Sequence, residues 1–179
     1  GGELYIVLPE GLLNVKTYQS FREWLLSKCY LVTVVSLPEG AFIPFGKSVS
    51  KTTILGVRKR DGSRQEKNKP HKVFLATAKE VGYEVGKKDY RPHNKSDLKI
   101  FLEKSRMYFD GIYQTENGGE CGWVEQDEIS SRRIDASFLL NIQDRSVISE
   151  KFNMVVPLNE ICEVKNVSKN PLFTEMYYY

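Results

Sequence analysis

Two short apolar runs in the first forty residues lack a strict alternation of apolar and polar positions. Leu4-Tyr5-Ile6-Val7-Leu8 is bounded by Gly1-Gly2 and Pro9-Glu10-Gly11, and Leu31-Val32-Thr33-Val34-Val35-Ser36-Leu37 ends in Pro38-Glu39-Gly40. Near-continuous apolar runs of this length between turn residues predict strands buried on both faces, in the middle of a sheet. Between them Tyr18, Phe21, Trp24 and Leu25 fall at helical spacing. That spacing predicts a helix with Arg22, Glu23 and Lys28 directed away from its apolar stripe. Strand, helix and strand joined by short connections predict a right-handed parallel crossover.

The pattern then changes. Thr53, Leu55 and Val57 alternate with Thr52, Ile54 and Gly56, and Lys72–Ala78 follows a hydrophilic tract from Arg60 to His71 that contains Asp61-Gly62. An antiparallel hairpin of Lys51–Lys59 with Lys72–Ala78 is the simplest expectation. Lys79–Asn94 is polar and glycine-punctuated, a predicted connector. Asn94 or Ser96 then caps a helix with Leu98, Phe101, Leu102 and Ser105 on one face. Residues 110–130, with Gly111, Gly118, Gly119 and Gly122 among acidic residues, read as irregular chain or short strands. Phe152–Val156 reads as a strand before Pro157, and Leu158, Ile161 and Cys162 as a short helix. The expected class is α/β: parallel strands ending in an antiparallel hairpin, then a smaller helical or irregular extension.

Composition narrows the partners. The chain has 179 residues, 41% hydrophobic and 27% charged, which is globular usage. No apolar run approaches the roughly 20 residues a membrane-spanning helix needs. The net charge of +3 conceals an asymmetry: residues 43–106 carry 17 Lys and Arg against 7 Asp and Glu, and residues 107–179 carry 6 against 12. A basic block of that size suits contact with a phosphate backbone, because each cation near a phosphate releases condensed counterions. Cys29, Cys121 and Cys162 are far apart with no CxxC pair, which supports neither a disulfide framework nor a zinc site and fits reduced thiols in a cytoplasmic protein. The two histidines, His71 and His93, sit in hydrophilic stretches and read as solvated loop residues. A Ser–His–Asp or Cys–His hydrolase would rest on one of them by default, and no catalytic residue or metal ligand is assigned.

Several motifs occur in colinear order. The doubled strand-Pro-Glu-Gly punctuation at 9–11 and 38–40 is followed by Ala41-Phe42-Ile43-Pro44-Phe45-Gly46-Lys47 and Lys51-Thr52-Thr53-Ile54-Leu55. Val81-Gly82-Tyr83, Asn94-Lys95-Ser96-Asp97-Leu98, Arg132-Arg133-Ile134-Asp135-Ala136-Ser137-Phe138 and Val156-Pro157-Leu158-Asn159-Glu160-Ile161 come after it. Over residues 1–165 this order resembles the C-terminal half of the catalytic domain of N6-adenine DNA methyltransferases, above all modification subunits of type I restriction–modification systems and their fused relatives. The resemblance implies residues 1–108 as the far half of a Rossmann-like methyltransferase sheet, 109–150 as a connector and 151–179 as the start of a target-recognition region. It implies a loop facing an extruded adenine, with Phe42, Phe45 and Thr52 toward the base and Lys47 and Lys51 on DNA.

Lys67, Lys69 and Lys72 in the basic block are the further DNA contacts expected. The glycine turn that approaches S-adenosylmethionine and the Asn/Asp-Pro-Pro-aromatic loop that holds the adenine amine have no counterpart in the sequence. The expectation is therefore a fragment that binds no S-adenosylmethionine itself, from a parent that uses it, with DNA and a specificity subunit or fused recognition domain as partners. A strand beginning at residue 3 and the terminal Tyr177-Tyr178-Tyr179 agree with a cut piece. The alternatives are a non-catalytic DNA-binding or assembly module and a methyltransferase-like enzyme acting on RNA or protein.

Overall fold

The computed structural model describes residues 2–46, 49–60, 71–109 and 120–141. Among the described residues seven strands form two sheets: β1 (Glu3–Pro9), β2 (Cys29–Ser36), β3 (Thr52–Lys59), β4 (Lys72–Thr77) and β7 (Cys121–Glu125) in the larger, β5 (Val81–Tyr83) and β6 (Pro92–Ser96) in the smaller. The large sheet has the order β1-β3-β2-β4-β7. β2 and β4 are parallel, while β3 runs antiparallel to both of its neighbours, β1 and β2. β1, β2 and β4 therefore point the same way, with β3 wedged between the first two, and β7 closes the far side antiparallel to β4. Helices among the described residues include α1 (Gly11–Asn14), α2 (Gln19–Lys28) and α3 (Asp97–Phe109), and residues 136–141 are helical as well.

The two faces of the sheet bury different sets. Val34, Leu55, Val57, Val73 and Leu75 pack on one face against Leu13 of α1, Leu25 of α2 and Ile134, Ala136 and Leu139. Val35, Phe74 and Ala76 pack on the other against Ala41, Phe101 of α3 and Cys121. Consecutive buried residues in β2 and β4 thus face opposite ways, as a covered central strand requires. The central position expected for Leu31–Leu37 is the one observed.

Four expectations are corrected. Among the described residues β1 is not a central strand but an edge strand, and Leu4, Tyr5, Ile6 and Val7 are 43–56% exposed on both of its faces. β3 and β4 do not form a hairpin: β2 lies between them, and the antiparallel partner of β3 is β2, joined through residues 37–51. Arg22 does not point outward. It is fully buried on α2, whereas Tyr18 and Trp24 are exposed, so the inward stripe is Phe21, Arg22, Leu25 and Leu26. In α3, Leu98 and Phe101 turn inward and Leu102 is exposed. Within 109–150, Cys121–Glu125 is a sheet strand, and Ile134, Ala136 and Leu139 are core. The strand and helix expected at 152–162 lie outside the described residues.

The buried Arg22 explains how 129–139 is held. Its guanidinium donates to the carbonyls of Leu12 (2.9 Å) and Val15 (2.9 Å) on one side and of Ser131 (2.7 Å) and Arg132 (2.9 Å) on the other. Burial pulls its pKa below the ordinary guanidinium value, and the nearby Asp135 opposes that shift. A planar fork of five N–H donors suits four carbonyls around one point.

Candidate nucleic-acid interface

The carboxyl ends of β1, β2 and β4 and the start of β3 share one end of the sheet. In open α/β sheets this is the end that binds ligands. The loop from Leu37 to Lys51 rises from it. Pro44 and a single 3₁₀ turn, Ile43–Phe45, shape the loop, and Gly46 ends the turn in the left-handed region at φ 68°. Gly40, at φ 76°, sits against the hairpin turn between β5 and β6: its carbonyl accepts from the Gly86 N–H at 3.3 Å, and a β-carbon at position 40 would lie 3.2 Å from the Gly86 α-carbon. The Tyr83 hydroxyl donates to the Ala41 carbonyl at 2.8 Å. The segment expected to be a connector is therefore the buttress of the loop.

At the base of the loop a buried carboxylate gathers three elements. Glu10, directly after β1, accepts from the Ser36 hydroxyl at 2.5 Å and pairs with the Lys51 ammonium at 3.0 Å, while its N–H donates to the Lys51 carbonyl at 3.0 Å. Thr53 donates to the Val35 carbonyl at 3.0 Å. The Thr52 hydroxyl is buried and makes no hydrogen bond among the described residues. An unmet buried hydroxyl is costly, by about 1–3 kcal/mol.

The structure brings together some of the expected site residues and separates others. Phe42 is half-buried against the second core cluster, and Phe45 is 50% exposed. Their ring centres are 6.4 Å apart. Thr52 and Lys51 adjoin the same loop, and Lys47 lies outside the described residues. Lys72 is elsewhere: it opens β4 at the opposite end of the sheet, paired with Glu125 at 3.5 Å. Seven residue steps along β3 separate the two ends, roughly 23 Å at the usual strand rise. Lys67 and Lys69 lie outside the described residues, between Arg60 and His71, which also stand at the far end. There His71 stacks on Tyr30 with ring centres 4.0 Å apart, Arg60 covers the Tyr30 ring at 3.9 Å, and Arg58 donates to His71 Nδ1 at 2.9 Å. His71 is thus a packed residue, contrary to the solvated loop position expected, and His93 lies 3.3 Å from Glu80. Sequence reasoning missed Glu10, Tyr83 and Tyr90. Glu10 alone carried a signal, as an acid directly after an apolar strand.

Among the described residues no cluster of three His, Cys, Asp or Glu could hold a metal, and no helix is long and apolar enough to cross a membrane. The turn after β1 is Pro9-Glu10-Gly11, and its one carboxylate is committed to Ser36 and Lys51.

No protein-family model matches the chain, and no curated protein does. Among solved structures, one reported for complex assembly and conformational transition of the type I restriction–modification system aligns with 90% of this chain at a TM-score of 0.51 and 21% identity. The chain shares the fold of a type I restriction–modification component. It spans 36% of that component's length. Two further solved structures also align. The type I restriction–modification methyltransferase subunit from Streptococcus thermophilus has 20% identity and a TM-score of 0.44 over 72% of this chain and 24% of that one. A modification subunit assigned to a type I restriction enzyme from Vibrio vulnificus YJ016 has 23% identity and a TM-score of 0.45 over 76% and 26%.

Proposed function

We propose that the chain is the far half of a methyltransferase catalytic domain of a type I restriction–modification system or a fused relative, acting on N6 of adenine in DNA. The observation that carries this reading is β1. Four consecutive apolar side chains, Leu4 to Val7, are exposed on both faces of an edge strand. Edge strands ordinarily carry charge, proline or bulges that discourage further pairing. Here the strand has the composition of a covered interior one, which fits a sheet that continues past β1. The inverted β3 between parallel β1 and β2 agrees with the antiparallel hairpin that ends methyltransferase sheets. The motif order at 38–55 and 132–138 supports the same family.

In this reading S-adenosylmethionine, held by residues beyond those present here, supplies the methyl group. The residues of this chain bind and orient DNA. Phe42, Phe45 and Thr52 face an adenine turned out of the duplex, and an aromatic surface offsets its lost stacking. Glu10 fixes Lys51 at the base of the loop, where its ammonium can meet a phosphate. Arg58, Arg60 and Lys72 contact the backbone at the other end of the sheet, so the two basic groups serve separate stretches of DNA.

Phe42→Ala in the whole polypeptide tests the base-facing assignment. Loss of a stacking surface worth about 1–3 kcal/mol should lower turnover some 5- to 150-fold with the fold intact. A mismatch at the target adenine, which makes extrusion easier, should restore part of it. A fall of many degrees in melting temperature would make Phe42 a core residue and leave Phe45 in its place. Unchanged turnover in both Phe42→Ala and Phe45→Ala would place the base pocket elsewhere.

A further inference from the structure

Phe45, Tyr83 and Tyr90 form a closed triangle where the loop meets the β5–β6 hairpin. Ring centres are 5.5 Å apart for Phe45 and Tyr83, 5.7 Å for Phe45 and Tyr90, and 5.3 Å for Tyr83 and Tyr90. Tyr83 is the anchor: it is half-buried, its hydroxyl is bonded to Ala41, and burial, with Tyr90 beside it, raises its pKa. Phe45 and Tyr90 remain 50% and 54% exposed. Two large adjacent rings left half exposed where the loop meets the hairpin ask for a partner with a flat apolar face.

The charges beside the rings indicate which partner. Lys87 and Lys88 lie on the turn that carries Tyr90, and both are exposed. Arg91 is drawn toward Glu84 (3.7 Å) and Asp89 (3.9 Å), whereas neither lysine forms an ion pair among the described residues. Exposed aromatic rings next to unpaired ammonium groups match the chemistry of an unpaired nucleobase with its flanking phosphates. Intact duplex offers phosphates but no open base face, so it would engage the lysines and leave the rings unused.

We propose that Phe45 and Tyr90 stack an unpaired base of single-stranded or locally opened DNA, with Lys87 and Lys88 on the adjoining phosphates. The inference rests on the DNA-facing role proposed above, not on methyl transfer.

The test is a titration of the 179-residue chain into a single-stranded 12-nucleotide DNA carrying one 2-aminopurine, read by fluorescence at several salt concentrations. Saturable binding with quenching is expected. Tyr90→Ala and Phe45→Ala should each weaken binding about tenfold and remove most of the quenching, while Tyr90→Trp should keep both. If an alanine variant fails to fold by circular dichroism, Tyr90→Leu, which keeps apolar bulk without a π-face, should show the same loss. Replacing Lys87 and Lys88 together by Ala should flatten the salt dependence by roughly 1.4 in log–log slope and leave quenching at saturation intact. Absence of quenching by the native chain, or native-like binding by Tyr90→Ala or Tyr90→Leu, would overturn the platform. Methyl transfer by the whole polypeptide is measured separately. Its persistence without stacking sinks only this inference, and stacking without methyl transfer sinks only the methyltransferase reading.

Discussion

Arg22→Met should lower the stability of the chain by about 4 kcal/mol, among the largest effects available to a single substitution here. The methionine would fill most of the volume but donate nothing to the carbonyls of Leu12, Ser131 and Arg132. The Val15 carbonyl would keep the Tyr18 N–H at 3.1 Å. A buried acceptor left unmet costs about 1–3 kcal/mol, and these part-buried carbonyls cost less wherever water can reach them. For a folded unit of this size the melting temperature should drop by roughly 10 °C or more. Arg22→Lys should recover little, because one ammonium cannot reach carbonyls that the guanidinium spans from both sides. Thermal unfolding followed by circular dichroism decides the matter. A shift under about 3 °C for Arg22→Met would mean that the segment at 131–134 is held by its apolar residues and by the Ile134 N–H bond to Leu13, not by the arginine.

Gly40→Val should release the loop while sparing the sheet. A valine at φ 76° occupies a conformation that costs an L-residue about 1–2 kcal/mol, and its β-carbon would meet the Gly86 backbone at 3.2 and 3.3 Å and Ile43 at 3.1 Å. The backbone contact cannot be relieved by a side-chain rotation, so the loop must lift from the hairpin. With about 2 kcal/mol of net strain, the amides of residues 38–46 and 82–86 should exchange some thirtyfold faster, and those of β2 and β4 should be unaffected. The same variant should lose the quenching that depends on Phe45 lying against Tyr90. Uniform acceleration across the sheet would show that Gly40 is a determinant of global stability instead.

The same apolar pattern that marked Leu31–Leu37 as central marked Leu4–Leu8, and only the first is central. The difference lies in the neighbours. β2 has β3 and β4 on its flanks and cover on both faces, and among the described residues β1 has β3 on one side alone. Periodicity reports what a strand is built to be buried against, not whether that material is present. This is why the mismatch at β1 supports a sheet that continues.

The hairpin expected between β3 and β4 failed for a related reason. Asp61-Gly62 in a hydrophilic tract signals a turn, but the loop at 37–51 already commits β3 to β2. Arg22 escaped because Tyr18, Phe21, Trp24 and Leu25 offered a plausible stripe, and no periodicity reveals a cation whose partners are carbonyls. The motif around them singled out Phe42, Phe45 and Lys51, which the structure places on or beside one loop. Tyr83 and Tyr90 were not legible, since they lie in a polar, glycine-punctuated stretch and acquire meaning only when the hairpin folds onto the loop.

The central claim is that these residues belong to an enzyme that methylates adenine in DNA. The most direct measurement uses the whole polypeptide its gene encodes, incubated with DNA and tritiated S-adenosylmethionine, with the DNA then digested to nucleosides and separated. The account expects radioactivity in N6-methyldeoxyadenosine, reduced by Phe42→Ala. Radioactivity in 5-methyldeoxycytidine, in RNA or in protein, or none in any acceptor in the presence of the cognate specificity component, would contradict it.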